Sequence, residues 1–232
     1  VTNTIAIVPV RGLNGGKSRL SPLLDDAERA TLIASMARHV VAQVLESSVS
    51  SRILLVTRER DLLAMLDMDS PMVEPVLQRH AADGLNAAID LGRRVGIGHA
   101  ADRLIVLSGD LPLLQPSELV DACSSTAEVT IAPDRLGTGT NAIVLQGSPA
   151  LDRYRFHFGE LSRGKHMAEA ERLGLSATEI RLPGIASDLD TPEDWHMLSV
   201  ETRQRLITPS AFTRLFALDA IGTNPMAILE HA

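Results

Sequence analysis

Residues 8–20 read VPVRGLNGGKSRL, and the identity of this loop decides which α/β fold the chain can adopt. A P-loop needs a glycine five positions before the Gly that precedes Lys, and it opens directly into a helix carrying the Lys and Ser in its first turn. Counting back from Gly16, that position is Arg11; the nearest glycine, Gly12, is one residue out of register. Ser21-Pro22 then follows Ser18 too closely, because proline breaks or displaces a helix at that point. The helical pattern begins only at Asp25 or Asp26. The stretch is therefore a longer, looser loop behind a first strand. Gly15, Gly16 and the cations Arg11, Lys17 and Arg19 suit a polyphosphate; the plainer alternative is a flexible basic turn.

Outward from this loop the pattern alternates. Ile5 to Val10 is a short apolar run that reads as a buried strand. Leu32, Ile33, Met36, Val40 and Val44 recur at helical spacing, with Asp25 or Asp26 as the cap. Further strands are expected at 51–57, 102–114, 127–134, 137–147 and 177–184, with an extended piece at PMVEPVLQ. Helices are expected at ERDLLAMLD and over 83–96, 116–125, 164–175 and 187–198, the last after a turn. This order predicts a single-domain α/β fold with a mostly parallel sheet between helices. No helix separates the strands on either side of GTGT, so part of the sheet is expected to be mixed. Ligands of such sheets sit beyond the carboxyl ends of the strands. The domain is expected to span 1–200. Residues 201–232 form an apolar, partly helical extension that fits a packed terminal helix, a lid or a homodimer contact.

Composition removes several function classes. The chain has 232 residues, 45% hydrophobic content and only 3% aromatics, with a net charge of −7. A full core can be built, but neither a base-stacking series nor a basic surface for nucleic acid is available. The one cysteine, Cys123, permits no internal disulfide and fits a reducing compartment. No apolar run approaches a membrane span, and no basic, apolar leader precedes the first strand. The expectation is a cytoplasmic protein acting on small molecules.

Five constellations carry chemistry. In LIVLSGDLPLL, Asp110 stands where a strand meets a proline turn, too early to cap the helix near Pro116, and so faces a ligand. In SDLDTPEDW, Asp188 and Asp190 alternate about Leu189, and residues two apart in extended chain point the same way. Paired carboxylates repel without a cation between them, which suits Mg²⁺; the alternative is a helix cap at Asp190 or Thr191. PDRLGTGTNAI offers Gly137, Gly139 and two threonines for close approach to a ligand, or simply a hairpin turn. FHFGELSRGKH sets Gly159, Ser162, Arg163, Lys165 and His166 at a helix N-terminus, an anion site or a basic solvated surface. DGLNAA offers Asp83 as a cap and Gly84 for approach of a flat ring.

Together these motifs resemble the 2-phospho-L-lactate guanylyltransferases of coenzyme F420 biosynthesis, including those that use phosphoenolpyruvate. The order is Lys-Ser-Arg-Leu, Gly-Leu-Asn-Ala-Ala, Gly-Asp-Leu-Pro, Gly-Thr-Gly-Thr-Asn, Phe-Gly-x-x-Ser-x-x-x-His and Asp-x-Asp-Thr-Pro-Glu-Asp, spanning residue 5 to about 198. The resemblance implies a nucleotide-sugar-transferase-like (GT-A-like) fold and transfer of GMP from GTP, with Mg²⁺, to a three-carbon phospho-acid. It implies that Asp110, Asp188 and Asp190 hold metal and that Arg11 and Lys17, with the Gly15-Gly16 turn, meet the GTP phosphates. Gly84 and Asn86 would lie by the nucleoside. Thr140, Gly159 and Ser162, with Arg163 and His166 beside them, would meet the acceptor. It also implies hand-over of a labile product to the next pathway enzyme. Many relatives carry Pro-Gly where this chain has Glu160-Leu161, which leaves the acceptor open among 2-phospho-L-lactate, phosphoenolpyruvate and 3-phosphoglycerate. The alternatives are a sugar-phosphate or molybdopterin-type nucleotidyltransferase and a non-catalytic nucleotide-binding protein.

Overall fold

The computed structural model describes residues 2–13, 15–60, 66, 70–79 and 84–208. The strands are β1 (Thr4–Val10), β2 (Arg52–Thr57), β3 (Val73–Leu77), β4 (Arg103–Leu107), β5 (Val129–Pro133), β6 (Thr140–Gln146) and β7 (Ala177–Glu179). They form one sheet in the order β3-β2-β1-β4-β6-β5-β7. Pairing is parallel except at β6, which runs antiparallel to both β4 and β5. The mixed character expected around GTGT is thus a β5–β6 hairpin.

The helices are α1 (Asp26–Ser47), α2 (Leu85–Gly98), α3 (Pro116–Ser124), α4 (Ser148–Arg153), α5 (Ser162–Leu173), α6 (Pro192–Met197) and α7 (Val200–Ile207). Asp25 caps α1 in a capping box, accepting from the Glu28 amide while Glu28 accepts from the Asp25 amide. Alternation along β1 divides the core. Ala6, Val8 and Val10 join α1 and α3 on one face, while Ile5 and Ile7 join α2, α4 and α5 on the other. A third apolar cluster joins Leu20, Leu24, Leu32 and Met36 to Leu189, Trp195, Leu198 and Leu206. Through Leu206, α7 packs on α1, so the body continues past residue 200. Most of the 201–232 extension, with Asp83 and most of the ERDLLAMLD segment, lies outside the described residues. The strand expected over 177–184 is only Ala177–Glu179, and α4, too short to show a period, was not foreseen. No helix among the described residues is long and apolar enough to cross a membrane.

The connectivity fixes where a ligand can sit. From β1 the chain steps outward through β2 to β3, then returns to place β4 on the other side of β1. The β1–β4 boundary is therefore a topological switch point, where loops leave the sheet in opposite directions and open a crevice. Pairing of β1 with β4 stops at Ile7–Val106, while pairing with β2 continues to Val10–Thr57. Pro9, beyond that last β1–β4 pair, has no amide to extend a ladder.

Helix α2 lies close on the sheet because two glycines face it. A Cβ on Gly92 would come within 2.7 Å of Ile7 Cγ2 and 3.1 Å of Val56 Cγ2, both in fully buried side chains. We expect Gly92→Val to lower stability by about 1–3 kcal/mol, as overpacking does. Gly98→Ala, in open space at the end of the same helix, should be neutral or stabilising. Urea unfolding of the two variants checks the contrast; equal midpoints would show that α2 can lift off the sheet freely.

Candidate active site

The glycine loop after β1 closes on itself. Gly16 donates its amide to the Gly12 carbonyl at 2.9 Å. A Cβ on Gly16 would lie 2.1 Å from that carbonyl oxygen and 2.7 Å from Ile33 Cδ1, so only glycine fits. Arg29, buried on α1, holds the turn from behind: Nε donates to the Gly16 carbonyl (3.3 Å) and Nη1 to that of Leu24 (2.9 Å). The turn delivers Lys17 in a left-handed conformation at φ 52°.

The Lys17 ammonium donates to Asp110 Oδ2 and to Asp190 Oδ1 (2.6 Å), partners 93 and 173 residues away. Its side chain is only 11% exposed. Burial alone would push this ammonium down, but the two carboxylates outweigh it and hold it above its ordinary range. Leu189 is buried in the third cluster, and its amide donates to the Asp110 carbonyl at 3.2 Å. That anchor sets Asp188 and Asp190 on either side. Asp190 meets Lys17, while Asp188 Oδ1 accepts from Asn141 Nδ2 at 2.9 Å. Burial raises the Asp188 carboxyl to about 6; Asn141 opposes the shift, and the charges of Asp110 and Asp190 add to it. At the other end of the segment, Thr191 caps α6, and Asp194 accepts from the Thr191 amide and hydroxyl.

Arg11, Lys17, Arg19, Gly109, Asp110 and Phe158 lie on the wall of a cleft of about 380 Å³ at the β1–β4 switch point. That volume is within the range of small-molecule sites. Asp190 lines the cleft as well, whereas Asp188 does not. Arg11 and Arg19 make no ion pair among the described residues. Burial and the neighbouring Arg58 lower the Arg11 guanidinium. The expected basic loop and the Asp110–Asp190 pair therefore meet in one place.

Among the described residues, no three of His, Cys, Asp and Glu are arranged to hold a metal ion. The position between Asp110 and Asp190 carries the Lys17 ammonium instead. The donor set itself fits a hard divalent cation. It is all oxygen, Asp110 Oδ1 is buried without a hydrogen-bond partner, and crowding of negative charge contributes to the upward shift of Asp188.

Several residues expected to meet ligand are engaged elsewhere. Both amide atoms of Asn86 bind the Phe158 backbone, Nδ2 donating to its carbonyl (3.0 Å) and Oδ1 accepting from its amide (2.8 Å). Asn86 thus fastens the Phe158 wall. Thr140 and His166 are buried and face each other: Nε2 of His166 accepts from the His157 amide, so Nδ1 donates to Thr140 Oγ1 at 3.0 Å. Burial lowers His166 to about 3, with His157 adding to the shift and Glu169 opposing it; the ring is a neutral interior strut. The N-terminus of α5, expected as an anion site or a basic solvated surface, has its first amides engaged within the protein. The amides of Ser162 and Arg163 donate to the carbonyls of Gly159 and Thr138, and the Arg163 guanidinium pairs with Glu179 at 2.7 Å. Ser162 itself is buried. The Gly137–Gly139 stretch is the hairpin turn, closed by Asp134, which accepts from the Thr138 amide. Gly84 stands in open space as the N-cap of α2.

Sequence reading overlooked Arg29, Asn141 and Phe158. Arg29 falls on the same helical stripe as Ile33, Met36 and Val40, so a charge on a buried face was its signal. Asn141 stood in a quoted motif without a role. Nothing local marks Phe158, whose place depends on Asn86, 72 residues away.

The fold is that of nucleotidyltransferases. A Methanothermobacter nucleotidyl transferase superposes with a TM-score of 0.62 at 16% identity, covering 89% of this chain and 99% of that one. The 4-diphosphocytidyl-2C-methyl-D-erythritol synthase of Anaerococcus prevotii gives a TM-score of 0.57 at 11% identity, over 83% and 94% of the two chains. The chain belongs to the family described as "Guanylyl transferase CofC like", whose model matches residues 4–205. The phosphoenolpyruvate guanylyltransferase of Rubrobacter xylanophilus is 35% identical over 195 residues, 83% of this chain and 91% of that protein. The 2-phospho-L-lactate guanylyltransferase of Methanothrix thermoacetophila is 32% identical over 188 residues, 81% of this chain and 79% of that protein.

Leu161, in the Glu160-Leu161 pair noted above, adopts the left-handed conformation at φ 53° and is 64% exposed. A side chain there clashes with its own backbone and recovers little by burial. Leu161→Gly should therefore raise stability by on the order of 1 kcal/mol, read as a higher denaturation midpoint. A lower midpoint would show that Leu161 contributes packing that its exposure hides.

Proposed function

We propose that this protein transfers GMP from GTP to the phosphate of a three-carbon phospho-acid, releasing pyrophosphate, as a step of coenzyme F420 biosynthesis. The observation that carries this reading is the convergence of Lys17, Asp110 and Asp190 in a cation-lined cleft at the switch point of a guanylyl transferase fold. Relatives named for phosphoenolpyruvate and for 2-phospho-L-lactate support the acceptor class.

A phosphate oxygen of the acceptor attacks the α-phosphorus of GTP. A new P–O bond forms as the bond to the β-phosphate oxygen breaks, and pyrophosphate carries away the electron pair. The nucleophile is already anionic at neutral pH, so no general base is required, and neutral, buried His166 is not called on to act as one. The difficulty is electrostatic: two polyanions must approach in line. Among the described residues Arg11 and Arg19 have no ion-pair partner to give up, which suits them to receive phosphate oxygens. Lys17 exchanges its carboxylates for the triphosphate, and the glycine turn held by Arg29 keeps it there. Asp110 and Asp190, with Asp188 behind them, would hold Mg²⁺, which supplies neutralisation of phosphate charge when bound. The acceptor enters beside the Phe158–Gly159 wall. The product is an activated phosphoanhydride, which favours direct hand-over to the next pathway enzyme.

Incubation with GTP and Mg²⁺ should release pyrophosphate only when 2-phospho-L-lactate, phosphoenolpyruvate or 3-phosphoglycerate is added. GTP binding without pyrophosphate from any of the three would overturn the reading, and formation of GDP would indicate a kinase instead. Asp110→Asn should keep the fold by circular dichroism and lose roughly 100-fold or more in turnover, the scale of a lost transition-state charge contact.

Lys17→Met tests the exchange of cations. Without the ammonium, the Asp110–Asp190 pair of the nucleotide-free protein should bind Mn²⁺ more tightly than wild type, measured by paramagnetic resonance, while turnover falls. Unchanged Mn²⁺ affinity would mean that Lys17 does not stand on the cation's position.

A further inference from the structure

Asn141 touches neither the cleft nor any expected ligand, yet it joins both segments that bring in the carboxylates. It is buried on β6, the antiparallel strand beside β4. Its backbone carbonyl accepts from the Ser108 amide at 2.8 Å, two residues before Asp110. Its side-chain nitrogen donates to the Ile185 carbonyl and to Asp188 Oδ1, both at 2.9 Å. Both protons of the NH₂ group are thus used, one on the backbone of the 185–190 segment and one on its first carboxylate. Aspartate at this position would put a repelling acceptor against Asp188. An apolar residue would leave the buried Ile185 carbonyl and the Asp188 oxygen unpaired.

The segment has a second brace remote from the carboxylates. Glu118 on α3 accepts from the Gly184 amide at 2.6 Å, and its other oxygen accepts from the Gln115 amide at 3.0 Å. A Cβ on Gly184 would lie 2.2 Å from Glu118 Oε2 and 2.4 Å from the Leu113 carbonyl oxygen, so the chain is pressed close there. Glu118 thus fixes where the segment runs, whereas Asn141 alone also fixes how a carboxylate on it is turned.

We infer that Asn141 is a positioning residue for nucleotidyl transfer: it holds the Asp188 carboxylate in register with Asp110 so that the acidic group can receive a divalent cation together with the nucleotide. The inference rests on the proposed function, but its test can be read without turnover. Outer hydrogen-bond partners of metal-binding side chains typically alter affinity or activity by roughly 10- to 100-fold when removed.

The measurement is Mn²⁺ affinity of the full-length protein with GTP present and acceptor omitted, followed by paramagnetic resonance. Asn141→Leu should weaken Mn²⁺ binding by roughly 10-fold or more and lower kcat, with KM for GTP little changed. Asn141→Ser, which keeps one donor, should fall between the two, and it decides the matter if the leucine variant does not fold. Glu118→Gln serves as the comparison: it should lower the unfolding midpoint with a smaller effect on Mn²⁺ than Asn141→Leu. Wild-type Mn²⁺ affinity in the folded Asn141 variants would overturn the inference, as would an equal loss in Glu118→Gln, which would make Asn141 a general brace. If wild type bound Mn²⁺ with GTP but released no pyrophosphate, the proposed reaction would fail while the Asn141 comparison still stood.

Discussion

Lys17 gathers three distant parts of the chain with one ammonium group. Asp110 leaves the end of β4, Asp190 leads into α6, and Lys17 closes the loop after β1. Removing either carboxylate would leave the buried Lys17 ammonium under-compensated, although solvent screens the half-exposed Asp190 more than Asp110. The nucleotide-free cleft needs a cation between its carboxylates, and the chain supplies its own. On the proposed function, the same need would make the cleft receptive to a polyphosphate arriving with a metal ion. Phosphate can take the ammonium while the ion takes the carboxylates, leaving no charge uncompensated at the end.

Such an exchange requires that the carboxylates stay in place when Lys17 leaves, and the surrounding structure provides for that. Leu189 is fixed by the third apolar cluster and by its hydrogen bond to the Asp110 carbonyl. Asn141 and Glu118 hold the same segment from two sides. The partner proposed to move is instead a lysine on a glycine turn, whose long side chain hydrogen-bonds only to the two carboxylates among the described residues. Fixed charges on rigid elements cost little reorganisation at the moment of reaction, which is where electrostatic catalysis gains most.

What could be read from the sequence follows how local each determinant is. The switch-point location and Asp110 at a strand end before Pro112 depend on a few neighbouring residues and were legible, whereas the different settings of Asp188, on Asn141, and Asp190, on Lys17 in the cleft, were not. The cap at Asp25 and the β5–β6 hairpin were legible for the same reason. Which cation meets which carboxylate was not, since those partners are 93 and 173 residues apart and only the sheet order brings them together. Thr140 and His166 were read as ligand contacts because they are polar residues in motifs rich in glycine; without ligand they bind each other. The helical period held the counter-signal: Ser162, His166, Glu169 and Ala170 share the buried stripe of α5. Period outranks residue type when the two disagree, and the same rule would have found Arg29 on α1.

On the proposed function, the corner at 158–161 is where the acceptor side would differ while the nucleotide side is kept. Asn86 binds Phe158 through both its amide and its carbonyl, so the start of the corner is fixed to α2. Beyond it, Gly159 at φ 121° and Leu161 at φ 53° turn the chain into α5. A glycine at 161 would make that turn without strain; leucine makes it at a cost and leaves an apolar side chain in solvent. Glu160 adds a negative charge beside it. At 158–161 the cation present is Lys165, whose ammonium donates to the Glu160 carbonyl at 2.8 Å, while the nearby Arg163 is already paired with Glu179. If the acceptor enters beside Phe158, as proposed, this corner would bring it an exposed leucine, a carboxylate and a lysine ammonium, so that both shape and charge at the rim would bear on its choice.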